Sequence, residues 1–143
     1  MKAIPKNKVI QWGTAVNLAL HNARVSIKGF SKGVDSCLTG GCAMGALFLR
    51  NRIIEQGDVA RFVMGTYAPE GWEAFDLTHC WTEWRGQIID PTAQQFGYVN
   101  PVKIGYKNQL PEYIKEFGLK EASKCLIQWR SANPFKYECI WHG

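Results

Sequence analysis

Two β-type runs separated by only two residues constrain the fold of this chain most. They are predicted at Glu73–Trp84 and Gln87–Thr92, and Arg85 and Gly86 lie between them. A two-residue connection that contains glycine is typical of a tight β-hairpin. With these two residues as the turn, the last residue of the first run pairs with the first residue of the second. The register of the whole hairpin follows from that pairing.

This register places a histidine and a carboxylate on one face of the predicted hairpin. Because side chains on a strand alternate between the two faces, four residues point the same way: His79, Trp81, Asp90 and Thr92. Asp90 is then diagonal to His79, with backbones about 7–8 Å apart and side chains within reach. A carboxylate in this position can hold an imidazole in the orientation that proton transfer needs. A shift of one residue in the turn would place Asp90 on the face opposite His79, and the two side chains could not meet.

A cysteine stands at the start of the helix that we predict over Cys42–Gln56. Good helix formers and an apolar face run through this segment, and Gly57 is suited to a left-handed helix cap. The N-terminus of a helix offers partial positive charge and backbone N–H groups, and both stabilise a thiolate. Cys42 is therefore the candidate nucleophile, although an ordinary buried cysteine fits the same position. Cys37, in the loop predicted before this helix, is the rival nucleophile.

The remaining segments give weaker patterns. Pro5 is expected to prevent an early helix, so the first helix opens at Gly13 and Thr14, with Thr14 as its N-cap, and ends near Gly29. Further elements are predicted as follows: a strand over Val59–Tyr67, a strand within Tyr98–Tyr106, a short helix over Pro111–Phe117, and paired strands over Lys124–Trp129 and Phe135–Trp141. The first of the two C-terminal segments fits a helix equally well.

The composition is that of one folded domain spanning residues 1–143. Hydrophobic residues make up 46% of the chain, which is enough for a single core. Met1–Trp12 carries lysines but lacks the apolar run of a signal peptide, and no stretch is long enough to cross a membrane. We therefore expect a cytoplasmic protein. Its five cysteines are then free thiols, and their spacing does not predict a metal site.

The formal net charge of +5 would suit an acidic partner. The basic residues are spread along the chain, however, and they form no continuous run. We therefore expect a solvated surface, with neither nucleic acid nor membrane as a partner and without a cofactor.

Four short motifs in a fixed order resemble the core of the transglutaminase-like superfamily of papain-fold cysteine enzymes. In chain order they are GGCAMGA, GDVARFVMG, HCWTE and DPTAQQF, and all lie between Gly40 and Phe96, about two-fifths of the chain. That family has a nucleophilic cysteine at a helix N-terminus, a Gly-x-x-Ala-Arg strand entry, a His-x-Trp-x-Glu strand and an Asp-Pro-Thr strand. The chain is too short for the flanking β-domains of animal transglutaminases or the additional domains of arylamine N-acetyltransferases. Neither calcium control nor coenzyme A binding is therefore implied.

The resemblance implies an α+β fold, a papain-like transglutaminase core with N-terminal helices packed on an antiparallel β-sheet. It implies Cys42 as the nucleophile, His79 as the general base and acid, and Asp90 as the residue that orients His79. Such an enzyme attacks a peptide or other amide bond and passes through a thioester. Water is the expected acceptor, which predicts a hydrolase of protein or peptide substrates. The alternatives are a transglutaminase or other amine acyltransferase, and a non-catalytic interaction protein on the same fold.

The tetrahedral intermediate of such a reaction needs hydrogen-bond donors for its oxyanion. The backbone N–H of Cys42 is one expected donor. Related enzymes take the second from a side chain upstream of the nucleophile, for which Gln11 and Trp12 are candidates, although Trp12 fits a core position as well. Trp81 is a further candidate for substrate contact, but we expect it to pack under His79.

Overall fold

The protein is an α+β structure in which two helices pack with an antiparallel sheet. The structure is a computed structural model, and it describes residues 3–22, 41–68, 77–118, 120–121 and 123–124. Helices α1 and α2 span Lys6–Asn22 and Cys42–Glu55. The five strands are β1 (Arg61–Tyr67), β2 (Leu77–Trp84), β3 (Gln87–Asp90), β4 (Lys103–Tyr106) and β5 (Tyr113–Glu116).

The strands form one sheet in the order β4-β3-β2-β1-β5, with every neighbouring pair antiparallel. Helix α2 packs against the face of β2 that carries Thr82, whose hydroxyl donates to the Ala46 carbonyl at 2.8 Å. Apolar side chains fill the space on both faces of the sheet. One cluster includes Leu49, Trp84 and Ile89, and a second, on the other face, is formed by Val63, Tyr67, Trp81, Ile88 and Tyr113. The middle strands of the sheet are therefore covered on both sides.

The predicted hairpin register is confirmed. The observed partners are Trp84 with Gln87, Glu83 with Ile88, and Thr82 with Ile89. Arg85 and Gly86 both have positive φ, 50° and 74°. Positive φ at both central residues is the requirement of a type I′ turn, whose twist matches that of the two strands. The second strand ends at Asp90, two residues earlier than predicted, and residues 73–76 of the first run lie outside the described residues.

The helix that begins at Cys42 also follows its prediction closely. α2 begins at Cys42 and ends at Glu55, one residue before the predicted end, and Gly57 adopts a φ of 89°. The Gly57 N–H donates to the Ile54 carbonyl at 2.9 Å, which satisfies one of the free carbonyls of the last turn. The predicted strand at Val59–Tyr67 is present as β1.

The prediction for the first helix was wrong at its start. α1 begins at Lys6, directly after Pro5, whose carbonyl accepts hydrogen bonds from the N–H groups of Lys8 and Val9 at 3.0 and 3.4 Å. A proline at this position lacks only an N–H that a helix start does not use, so it begins the helix instead of preventing it. Thr14 is not the N-cap: its hydroxyl donates to the Ile10 carbonyl one turn earlier. The predicted end near Gly29 lies outside the described residues.

The prediction of a short helix over Pro111–Phe117 was also wrong. This segment forms β5, which pairs with the free edge of β1 through Gly65 with Glu116 and Tyr67 with Tyr113. Pairing satisfies the backbone groups of an otherwise open sheet edge, and this gain outweighs a weak local preference for helix. The strand predicted within Tyr98–Tyr106 is confined to β4. The paired strands predicted near the C-terminus lie outside the described residues, apart from Lys124, which is helical and so agrees with the alternative prediction for that segment.

Among the residues that the structure describes, none of the helices combines the length and the apolar character needed to cross a membrane.

Candidate active site

Cys42 is the first residue of α2 and is half-buried. The residue before it, Gly41, occupies the N-cap position and has no side chain with which to satisfy the N–H groups of the first turn. The first turn also carries no acidic residue. The partial positive charge of the helix N-terminus is therefore left available to a thiolate at Cys42.

His79 lies on β2, in the middle of the sheet, and its side chain is fully buried. The imidazole packs against the rings of Tyr67 and Phe96, with centroids at 5.2 and 4.9 Å. These contacts come from two different elements, β1 and the short 3-10 helix that follows β3. They restrict the ring to one orientation.

Asp90 accepts a hydrogen bond from His79 across the hairpin, with Nε2 and Oδ2 2.6 Å apart. Both side chains are buried. The diagonal placement predicted from the hairpin register therefore brings these two residues into direct contact. Because an ionised carboxylate only accepts hydrogen bonds, Nε2 carries a proton, and Nδ1 is the nitrogen that can exchange a proton with another group.

Three residues donate four hydrogen bonds to the Asp90 carboxylate. Oδ2 accepts from His79 Nε2 and from the Tyr113 hydroxyl, both at 2.6 Å. Oδ1 accepts from the backbone N–H and the hydroxyl of Thr92, at 2.9 and 3.1 Å. A carboxylate has about four lone-pair sites, so its acceptor capacity is fully used. Burial alone would raise the pKa of Asp90, but the charge of His79 and these hydrogen bonds lower it below its usual value.

The pKa of His79 shifts in the direction that favours the imidazolium. Burial alone would lower this pKa. The charge of Asp90 and the hydrogen bond to it act the other way, and the neighbouring Cys42 adds to them, so the pKa rises to about 10. Nδ1 is buried and makes no hydrogen bond of standard geometry within the described residues, although Cys42 lies close enough for the two groups to shift each other's pKa. His79 is thus protonated near neutral pH.

The pKa of Cys42 is lowered well below the ordinary value for a thiol. The largest cause is a hydrogen bond from the Cys80 side chain, and burial partly opposes it. The hydrogen bond and positive charge of His79 lower the pKa further. A thiolate at Cys42 and an imidazolium at His79 are therefore the favoured pair of protonation states, which is the arrangement of an activated sulfur nucleophile.

Cys80 contacts Cys42, although its position on the predicted hairpin, facing away from His79, indicates a core residue. It is buried and points to the opposite face of β2 from its neighbour His79. That face is the one on which α2 packs, and Cys80 lies in a cluster with Ala43 and Met64 against which Cys42 also packs. The alternation of side chains along β2 could have indicated this contact once α2 was assigned to that face.

The first turn of α2 is held close to the segment that carries Asp90. A Cβ atom at Gly45 would lie 3.1 Å from Thr92, 3.2 Å from Leu20 and 3.3 Å from Pro91, so glycine permits this approach. From α1, the Asn17 amide donates to the Pro91 carbonyl at 2.9 Å. Helices α1 and α2 together therefore fix the position of the turn after β3 relative to Cys42.

Trp12 is not brought to Cys42. Trp12 packs against the first of the two clusters described above, and the Arg52 guanidinium lies 5.5 Å from its ring. Arg52 is near the C-terminal end of α2, about 15 Å along the helix axis from Cys42 at 1.5 Å per residue. Gln11 is exposed on α1. Trp12 is therefore not placed to serve as the second oxyanion donor in this structure.

Trp81 packs beside His79, as expected, with ring centroids 6.1 Å apart. Its indole is buried, and its Nε1 makes no hydrogen bond within the described part of the chain. Cys37, the rival nucleophile, lies outside the described residues. Across those residues no group of three or more His, Cys, Asp or Glu side chains is arranged to hold a metal ion.

Comparison with known proteins found no matching protein-family model, no similar curated protein and no similar solved structure. The class that the fold defines is an α+β protein with an antiparallel five-stranded sheet. Function is therefore inferred from the geometry of the site and not from similarity to another protein.

Proposed function

We propose that this protein is a cysteine-nucleophile hydrolase of peptide or other amide bonds, with a transglutaminase-like, papain-type core. The observation that carries this proposal is the hydrogen-bonded series Asp90–His79 next to Cys42 at a helix N-terminus. An imidazole whose Nε2 is held by a buried carboxylate has only Nδ1 available for proton exchange. A thiol with a lowered pKa beside it is poised to act as nucleophile.

The proposed reaction has two steps. The Cys42 thiolate attacks the carbonyl carbon, and the resulting oxyanion is stabilised by the N–H groups of the first turn of α2. The His79 imidazolium gives its Nδ1 proton to the leaving nitrogen, the carbon–nitrogen bond breaks, and a thioester remains on Cys42. His79 Nδ1 then takes a proton from water, which attacks the thioester and releases the carboxylic acid. The proton returned to His79 and the freed thiolate restore the starting state.

The same thioester can be resolved by an amine in place of water, which would make the protein an acyltransferase. We favour hydrolysis because water, unlike an amine, needs no binding site of its own. A cytoplasmic location is part of the proposal, since a reducing compartment preserves the thiols of Cys42 and Cys80.

A simple chromogenic ester tests both steps without knowledge of the natural substrate. The protein is mixed with p-nitrophenyl acetate, and intact mass and peptide mapping are used to find an added acetyl group. We expect a burst of p-nitrophenol, transient acetylation of Cys42 and slower release of acetate. Cys42→Ala, which removes only the sulfur, serves as the matched control. Acetylation of other residues, with equal turnover by Cys42→Ala, would refute the proposal.

The choice between water and amine is made in the same assay. Adding a primary amine should leave acetate as the main product if the protein is a hydrolase. Acetylated amine as the main product would favour the acyltransferase, and a protein that does not form the thioester with any tested ester or peptide would favour a non-catalytic role.

A further inference from the structure

Tyr113 reaches the Asp90 carboxylate across two intervening strands of the sheet. It lies on the edge strand β5, and its hydroxyl is 2.6 Å from Asp90 Oδ2, the same oxygen that accepts from His79 Nε2. β5 and β3 are separated in the sheet by β1 and β2. The contact therefore depends on side chains that extend over the face of the sheet, where Tyr113 packs on Trp81 with ring centroids 4.9 Å apart.

We propose that Tyr113 is a positioning residue of this site. Its hydroxyl occupies one acceptor position of Asp90 Oδ2, so that Oδ2 can accept only one further hydrogen bond, from His79 Nε2. The proposal rests on the function proposed above, because a fixed imidazole matters only if His79 exchanges protons. Thr92 holds the other oxygen in the same way. With both oxygens held, the carboxylate cannot rotate away from His79 without breaking hydrogen bonds at three other donor atoms.

Packing alone does not explain a tyrosine at this position. The ring contacts with Tyr67 and Trp81 would be kept by phenylalanine. A buried hydroxyl is unfavourable unless it finds a partner, and here the partner is the Asp90 carboxylate. Burial, followed by the nearby negative charge of Asp90, raises the pKa of Tyr113 well above its ordinary value. The phenol therefore remains a donor over the whole range in which an enzyme works.

The other charged and titratable groups around Asp90 have partners of their own. From β2 comes His79, which in turn faces Cys42 of α2. From β4 comes Lys103, whose amino group lies 2.7 Å from Glu112 and donates to the Tyr67 hydroxyl at 3.2 Å. Tyr113 is thus the neutral donor on Oδ2, and its hydroxyl can be removed without changing the formal charge of the site.

The test compares two hydroxyl deletions on paired positions of β1 and β5. Tyr113→Phe removes the donor to Asp90, whereas Tyr67→Phe removes an acceptor for Lys103 and keeps every hydrogen bond to the Asp90 carboxylate. Carbon-13 NMR follows the titration of the Asp90 carboxyl, assigned through its loss in Asp90→Asn. Proton and nitrogen-15 NMR follow the His79 Nε2–H group.

In Tyr113→Phe we expect the Asp90 titration to move to higher pH by about one unit and the Nε2–H resonance to shift, because one of four stabilising hydrogen bonds is lost. Tyr67→Phe should leave both signals at their wild-type positions. A folded Tyr113→Phe protein with wild-type values for Asp90 and His79 would overturn the proposal.

Two further results must be distinguished from a failure of the Tyr113 proposal. If the NMR shifts appear but wild-type protein forms no thioester, the contact stands and the proposed function fails. If Tyr113→Phe does not fold, wild-type protein still provides the test, since a slowly exchanging tyrosine hydroxyl proton should show a nuclear Overhauser effect to His79 Nε2–H. Absence of that effect would overturn the proposal.

Discussion

His79 Nε2 and Asp90 Oδ2 lie 2.6 Å apart between two fully buried side chains on adjacent antiparallel strands. The two-residue turn at Arg85 and Gly86 sets the register that makes this contact. A hydrogen bond this short between an imidazolium and a carboxylate is of the charge-assisted kind. It fixes which nitrogen of His79 faces away from the carboxylate, and that nitrogen is the one beside Cys42.

Replacing Asp90 with asparagine should lower turnover on the order of a hundredfold or more, with the protein still folded. Asparagine nearly keeps the size of the side chain but removes the charge that raises the pKa of His79. With a lower pKa, His79 is less often an imidazolium at neutral pH, and less thiolate forms at Cys42. Turnover of the ester, together with circular dichroism and thermal melting, checks this prediction.

The amide of Asp90→Asn also presents N–H donors where His79, Tyr113 and Thr92 already donate, so the neutral imidazole is expected to adopt the wrong tautomer. The alkylation rate of Cys42 against pH reports the thiolate separately from turnover. Unchanged turnover and unchanged alkylation in a folded variant would mean that Asp90 is purely structural.

Replacing Cys80 with alanine should raise the pKa of Cys42, because the largest cause of its lowering is a hydrogen bond from the Cys80 side chain. Alkylation of Cys42 at pH 7 should therefore be slower than in the wild type. Cys80→Ser keeps a donor of similar size and is the matched control, with a rate expected closer to that of the wild type. Identical rates for both variants and the wild type would remove Cys80 from the site.

Gly45→Ala tests how tightly the first turn of α2 is packed against the segment after β3. Alanine favours a helix over glycine by about 1 kcal/mol. Its Cβ, however, would lie 3.1–3.3 Å from Thr92, Leu20 and Pro91, and such overpacking costs about 1–3 kcal/mol. We expect a lower free energy of unfolding, and lower turnover because Thr92 holds Asp90.

Chemical unfolding of Gly45→Ala, compared with Gly118→Ala, provides the measurement. A Cβ at Gly118 would have no atom within 4 Å. Gly118→Ala therefore makes the same substitution without a steric clash. If Gly45→Ala were as stable as the wild type or more so, the close approach of these elements would have no structural importance.

The parts of the site that the sequence predicts well are those fixed by local geometry. The turn at Arg85 and Gly86 and the alternation of side chains together place His79 beside Asp90, and both signals lie within one short segment. The helix that begins at Cys42 is likewise marked by its own residues and by Gly57, whose positive φ ends it.

The parts that the sequence does not predict depend on contacts between distant segments. Tyr113 reaches Asp90 only because β5 pairs with the edge of β1, a tertiary preference that overrides the local pattern. Trp12 was a candidate for the oxyanion site, but α1 runs antiparallel to α2, with Leu20 near Gly45 and Trp12 near Arg52. The relative direction of two helices is decided by packing, and no local motif encodes it.

The pH dependence of Cys42 alkylation by iodoacetamide, read by peptide mass spectrometry across all five cysteines, tests the central claim most directly. The pKa of Cys42 is lowered and that of His79 is raised to about 10, so the ion pair exists between those two values. The thiolate is therefore lost as pH falls through the lowered pKa of Cys42, and the imidazolium is lost as pH rises through the raised pKa of His79.

The account predicts that Cys42 reacts fastest of the five thiols and that its rate stops rising at a pH well below that of an ordinary thiol. In His79→Ala the rate at pH 7 should fall, and the rise with pH should lie at higher pH than in the wild type, because the hydrogen bond and charge of His79 are lost while the hydrogen bond from Cys80 remains. A wild-type Cys42 that already titrates near 8.5, with the same rates in His79→Ala, would contradict an activated nucleophile at this site.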